Sequence, residues 1–205
     1  MAPDQPDGDR RVRRTQRALK EAFLELVLER GYDKVSIEDI TERADVARAT
    51  FYAHFQNKES LLASVFTELL DDVAPRVMGT GTPSAALAVA PIEEAYRHAD
   101  GLKDIYRVCL SGAAEGLAQD AYLETVYGLS QRTIEARVRA LGTTPNVPVE
   151  VIARAFAGAH LALLRAWLAG KLDYSAKEMV SMQVEVLNRG MAWGQGVPRE
   201  DLSLA

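Results

Sequence analysis

The side chains whose types and spacing could do chemistry gather between Ser36 and Glu59. In a helix that turns Phe51 inward, a step of about 100° per residue puts Ala49 and Ala53 about 160° away, with Thr50 and Tyr52 on the flanks. The outward face is nearly bare. Such a face suits the major groove of a nucleic-acid duplex, about 12 Å wide, where small residues meet base edges and hydroxyls or cations meet the phosphate walls. Ala49, Thr50 and Ala53 fit the first role, and Tyr52, His54 and Lys58 the second. Arg48 is long enough to reach a guanine edge. Ser36, at the start of a preceding helix, can offer its hydroxyl and nearby backbone N–H groups to a phosphate.

Residue types that would support catalysis are scattered. His98, His160 and the single cysteine, Cys109, are far apart in sequence, with no H-E-x-x-H or paired C-x-x-C spacing to hold a metal. There is no G-x-S-x-G, phosphate-binding loop or dinucleotide fingerprint, and Gly79 to Pro83 reads as a linker. The expectation is a protein that binds and does not catalyse, with no metal and no cofactor.

The elements that must position residues 36 to 59 are helices. Ala18, Leu19, Ala22, Phe23, Leu26 and Val27 recur at steps of three and four, and Gly31 follows as a stop, which predicts a helix over about 11–30. Ser36, with an acid three residues on, opens a short helix ending by Arg43. Asp45-Val46-Ala47 leaves room only for a tight turn before Arg48–Phe55, so the pair forms a helix-turn-helix. A helix over 58–77 follows, and further helices are predicted over 84–99, 103–118, 121–141, 149–170 and 176–193. The fold class is all-α. The domains expected are an arm over 1–9, a helix-turn-helix domain over 10–57, a connecting helix over 58–78 and a second helical domain over 79–205.

Charge follows the same division. The chain of 205 residues carries a net charge of −5. Residues 10–58 hold 11 basic against 8 acidic side chains, and residues 59–205 hold 13 against 18. A basic module thus sits on an acidic remainder. Arg10, Arg11, Arg13, Arg14 and Arg17 crowd the start of the first helix, where positive charge opposes the helix dipole, which favours an external anion. Val149–Leu172, the most apolar stretch, is interrupted by Arg154, His160 and Arg165, so no membrane span is expected. The polar, acidic start lacks the pattern of a secretory signal, and the expected address is the cytoplasm.

Thr50-Phe51-Tyr52-Ala53-His54-Phe55, then Asn57-Lys58-Glu59-Ser60-Leu61-Leu62, resembles the signature of the tetracycline-repressor (TetR) family of bacterial transcriptional regulators. The likeness extends upstream through Gly31-Tyr32, Val35-Ser36-Ile37 and Ile40. The resemblance implies that the helix from Arg48 to His54 is a recognition helix, with Arg48 and Thr50 reading bases and Tyr52, His54 and Lys58 on phosphates. Two positions depart from the pattern: Asp45 replaces the usual turn glycine, and Ala47 the usual Ser or Thr cap. The expectation is that Asp45 both accepts the left-handed turn and caps the following helix.

The resemblance further implies a homodimer on a double-stranded DNA operator, an inverted repeat, and release by a small-molecule ligand. The last two predicted helices are apolar over more than one face, and Phe156, Ala159, Leu163, Trp167, Val184 and Leu187 are the candidate dimer contacts. Tyr96, Tyr106, Cys109, Tyr122 and Tyr127 are the candidate ligand-lining groups, each joining an apolar body to a polar tip, a combination equally suited to packing. The alternatives are a small helical enzyme and a helix-turn-helix module that binds protein.

Overall fold

Leu19, Phe23 and Leu26 are each at most 1% exposed and lie on one face of helix α1 (Asp7–Arg30), which begins earlier than the apolar periodicity requires. Gly31, at φ 81°, ends it, and one turn of 3-10 helix (Tyr32–Lys34) brings the chain to Ser36. Helices α2 (Ile37–Arg43), α3 (Arg48–His54) and α4 (Lys58–Gly79) follow, then α5 (Val89–Gly101), α6 (Lys103–Leu110), α7 (Leu117–Leu141), α8 (Val149–Leu168) and α9 (Ala176–Gly194). These come from a computed structural model, which describes residues 7–79, 89–110, 116–194 and 196. Among the described residues the architecture is all-α, as the periodicity predicts.

The helix predicted over 103–118 divides: α6 ends at Leu110, residues 111–115 lie outside the described residues, and Leu117 already belongs to α7. Residues 84–88, the start of the helix predicted over 84–99, also lie outside them, as do residues 1–6 of the expected arm. Pro75 sits within α4 near its end.

Helix α4 ties the halves together. Leu61, Leu62, Phe66 and Leu70 of α4 belong to one cluster with Phe23, Tyr32, Ile40 and Phe51 of the first half and Tyr96, Tyr106 and Tyr122 of the second, and Phe66 meets the rings of Tyr106 and Tyr122. One continuous core therefore runs from Leu19 to Val180. A smaller cluster, Ile134, Ile152 and Ala153, closes the far end of α7 and α8. Helix α8 is long and apolar enough to cross a membrane by length and composition. One such helix is equally what a protein core supplies: α8 packs along α7 and buries His160 and Leu164.

Candidate nucleic-acid interface

Helix α2 is positioned from both ends. At its start the Ser36 hydroxyl accepts from the Asp39 N–H at 3.1 Å, and the Asp39 carboxylate accepts from the Ser36 N–H at 2.9 Å, the reciprocal box that the Ser-x-x-Asp spacing predicts. The Ser36 hydroxyl and N–H, helped by Arg30 at 3.1 Å, hold the Asp39 carboxyl below the usual carboxylate range. At the other end Arg43 spans Glu25 and Glu29 of α1, with N–O distances of 2.9 to 3.1 Å. That fork ties α2 to α1 at a defined geometry, although exposed ion pairs of this kind each add only about 0–1 kcal/mol.

Asp45 has φ 52°, the left-handed turn expected of it and the one positive φ outside glycine among the described residues. The second half of that expectation fails. Ala47 is the N-cap of α3, and no side chain makes the capping hydrogen bond. Instead the Val46 N–H donates to the Thr41 carbonyl at 3.0 Å, closing the turn through the backbone.

Helix α3 is anchored by Phe51, fully buried, and by Phe55 just beyond it. Its opposite face is bare: Arg48, Ala49, Tyr52 and Ala53 are exposed, and Thr50 and His54 are half-buried. Tyr52 is 48% exposed, with its hydroxyl 3.5 Å from Arg48 Nη2 and the guanidinium 5.9 Å from its ring. The two side chains thus form one polar edge along a strip of methyl groups. Ser36 is exposed at the start of α2.

Lys58 stands differently. Its ammonium donates to the carbonyls of Tyr32 and Val35, both at 2.9 Å, and lies 4.1 Å from the centre of the Tyr32 ring. The expected phosphate ligand is thus half-buried and engaged with backbone of its own chain. Asn57 caps α4, its amide oxygen accepting from the Ser60 N–H at 2.8 Å. The Asn-x-x-Ser spacing was a legible signal for that cap; nothing in the sequence signals the carbonyls around Lys58.

In the second half of the chain, a buried chain of hydrogen bonds joins four helices. The Tyr96 hydroxyl of α5 donates to Gln183 Oε1 of α9 at 2.9 Å; the Gln183 amide meets His160 Nδ1 of α8 at 2.9 to 3.0 Å; His160 Nε2 pairs with the Tyr122 hydroxyl of α7 at 2.8 Å. Tyr122 stacks on Phe66 of α4, and Tyr106 meets Phe66 edge-on. His98 Nδ1 pairs with the Tyr106 hydroxyl at 2.7 Å. Burial raises the hydroxyl pKa of Tyr96, Tyr106 and Tyr122, pushes the Cys109 thiol up to about 12, and lowers the pKa of His160.

Four of the five candidate ligand-lining groups, Tyr96, Tyr106, Cys109 and Tyr122, thus fall within one buried cluster. Tyr127 does not: it packs with the small cluster at the far end of α7, under the Arg154 guanidinium at 4.0 Å. Gln183 and His160 were not singled out for this region, since neither has a spacing that marks it.

The dimer candidates divide as well. Trp167 is only 5% exposed, packed on Tyr96 with its indole N–H donating to the Tyr174 carbonyl at 2.8 Å, so its surface is used within the chain. Phe156, Ala159, Leu163 and Val184 are half-buried, and the side chain of Leu187 lies outside the described residues. The exposed face is instead Val151, Ala155, Gly158 and Ala162 of α8, one stripe at steps of four, three and four, with Met182 and Val186 of α9.

Residues 20–65 match the model for bacterial regulatory proteins of the tetR family. The chain is 38% identical over 77 residues to YxbF and 32% identical over 111 residues to YvdT, both described as uncharacterised HTH-type transcriptional regulators of Bacillus subtilis. Those matches take in 37% and 52% of this chain, and span 20% and 56% of the two relatives. The fold is that of Thermus thermophilus FadR, a TetR-family repressor solved with lauroyl-CoA, at a TM-score of 0.71 over 86% of this chain and 94% of that one, with 19% identity.

Proposed function

We propose that this chain, whose residues 20–65 match the model for bacterial regulatory proteins of the tetR family, is a cytoplasmic DNA-binding transcriptional regulator, a repressor released by a small molecule. The observation that carries the reading is the exposed, small-sided face of α3 between Arg48 and Tyr52, held on a buried Phe51. Residues 10–57 are the DNA-binding domain, α4 the connecting helix, and residues from 79 onward the regulatory and dimerisation domain. The chain binds and does not catalyse, a reading supported by the absence of any grouped set of metal-ligating side chains among the described residues.

Arg48 and Thr50 read bases beside Ala49 and Ala53, while Tyr52, His54 and the α2 start at Ser36 meet phosphates. The exposed stripe of α8, with Met182 and Val186, supports a two-fold dimer, because small residues let helices approach closely and exposed apolar ones gain by burial. Two recognition helices then address half-sites about 34 Å apart in an inverted repeat. The ligand belongs with Tyr96, Tyr106, Cys109 and Tyr122, in the part of the fold where α4 touches α5, α6 and α7. A ligand that favours a different tilt of α4 would weaken the operator, and a coupling of about 1–3 kcal/mol suffices for about 5- to 150-fold.

Selection of bound fragments from the native genome, followed by salt titration, tests this. Wild-type binding should fall steeply with salt. Arg48→Ala and Thr50→Ala should each relax preference at particular base pairs, by about 1–3 kcal/mol for a bidentate arginine contact. Variants that retain the full sequence preference would reject the assignment of α3.

A further inference from the structure

Val35 contributes its carbonyl, and Ser36 its N–H, to a single planar peptide unit. Lys58 Nζ donates to that carbonyl at 2.9 Å, and the N–H on the other side of the same plane donates to Asp39 Oδ2 at 2.9 Å in the α2 capping box. The ammonium also holds the Tyr32 carbonyl at 2.9 Å and the Tyr32 ring face at 4.1 Å. From the next position along α4, Glu59 accepts the Tyr32 hydroxyl at 3.1 Å. The first two residues of α4 therefore grip Tyr32 at both its backbone and its hydroxyl, and set the peptide that opens α2.

We propose that Lys58 is a positioning residue for the DNA-facing start of α2, locking that start to the first turn of α4 in addition to any charge it presents to a phosphate. The proposal rests on the DNA-binding reading above. Its physical content is that a charged donor to two carbonyls is a stronger and more directional tie than a neutral one. Two of the three ammonium hydrogens are already taken. A further consequence is mechanical. When α4 tilts, Val35 and Ser36 must follow it, so α2 and the α4 start move as one piece.

The test uses the full-length chain and a labelled duplex of mixed sequence. In Lys58→Met, the amides of residues 36–40 should exchange about tenfold faster with solvent, and duplex affinity should fall about tenfold. A lysine that served only as a phosphate contact would, on removal, lower the log–log salt slope by about 0.9 and leave exchange in the free protein unchanged. Accelerated exchange together with the fall in affinity supports the proposal. Unchanged exchange, or accelerated exchange with unchanged affinity, overturns it. If the methionine variant does not fold, Lys58→Gln, whose amide can hold one of the two carbonyls, is measured in the same way. Wild-type protein that shows no salt-dependent duplex binding would refute the DNA-binding reading instead, and the exchange comparison would still decide the tie.

Discussion

Acidification should destabilise this protein through His160 before carboxylates begin to titrate. The ring is 2% exposed, stacked against Tyr122 and Phe156, with the Tyr122 hydroxyl on one nitrogen and the Gln183 amide on the other. Burial lowers its pKa below 6.5, and the Gln183 amide oxygen pulls weakly the other way. In the unfolded chain the imidazole protonates near pH 6.5, so below that pH the unfolded state binds the proton that the folded state refuses. The contribution is thus complete above the unfolded pKa and is lost as pH falls. If the folded ring stays neutral, each pH unit below 6.5 costs about 1.4 kcal/mol, which at pH 5.5 lowers Tm by about 3–6 °C for a chain of this size. Thermal melts of wild type and His160→Gln between about pH 7.5 and pH 5.5 isolate the effect, because His98, shifted in the same direction by burial, remains in both. The wild type should lose more Tm than the variant over that interval. Superimposable profiles, or a larger loss in the variant, would refute the reasoning.

Ser36→Ala should cost about 0.5–2 kcal/mol by removing the hydroxyl that caps α2, read as a lower denaturation midpoint at unchanged m. Asp45→Gly should leave stability unchanged or raise it by up to about 1 kcal/mol, because glycine carries no Cβ penalty at φ 52°, while Asp45→Val should lower it; equal midpoints for the two variants would contradict a left-handed residue there. Met182→Glu combined with Val186→Glu should leave helicity intact and abolish concentration-dependent assembly in sedimentation, since the charges fall on the exposed α9 face. An unaltered sedimentation profile would argue against a dimer contact on this face.

Local order was written in the sequence. The three-and-four spacing from Ala18 to Val27, the Ser36 box, the turn at Asp45 and the inward Phe51 with its bare opposite face all depend on neighbours within about one helical turn, which composition and period encode directly. The resemblance to the TetR family lay in the same short stretch, the part the family model matches. What only the tertiary structure decided involved partners distant in the chain. Lys58 is the first residue of α4, yet its partners are carbonyls 26 and 23 positions earlier. Trp167 looked like interface from its own helix and is covered by Tyr96 and the carbonyl of Tyr174. Tyr122, His160 and Gln183 form one chain across 61 positions. Helical periodicity tells which face of a helix turns inward, but which other helix meets that face depends on packing across the whole core, where side-chain volume and hydrogen-bond satisfaction are settled together.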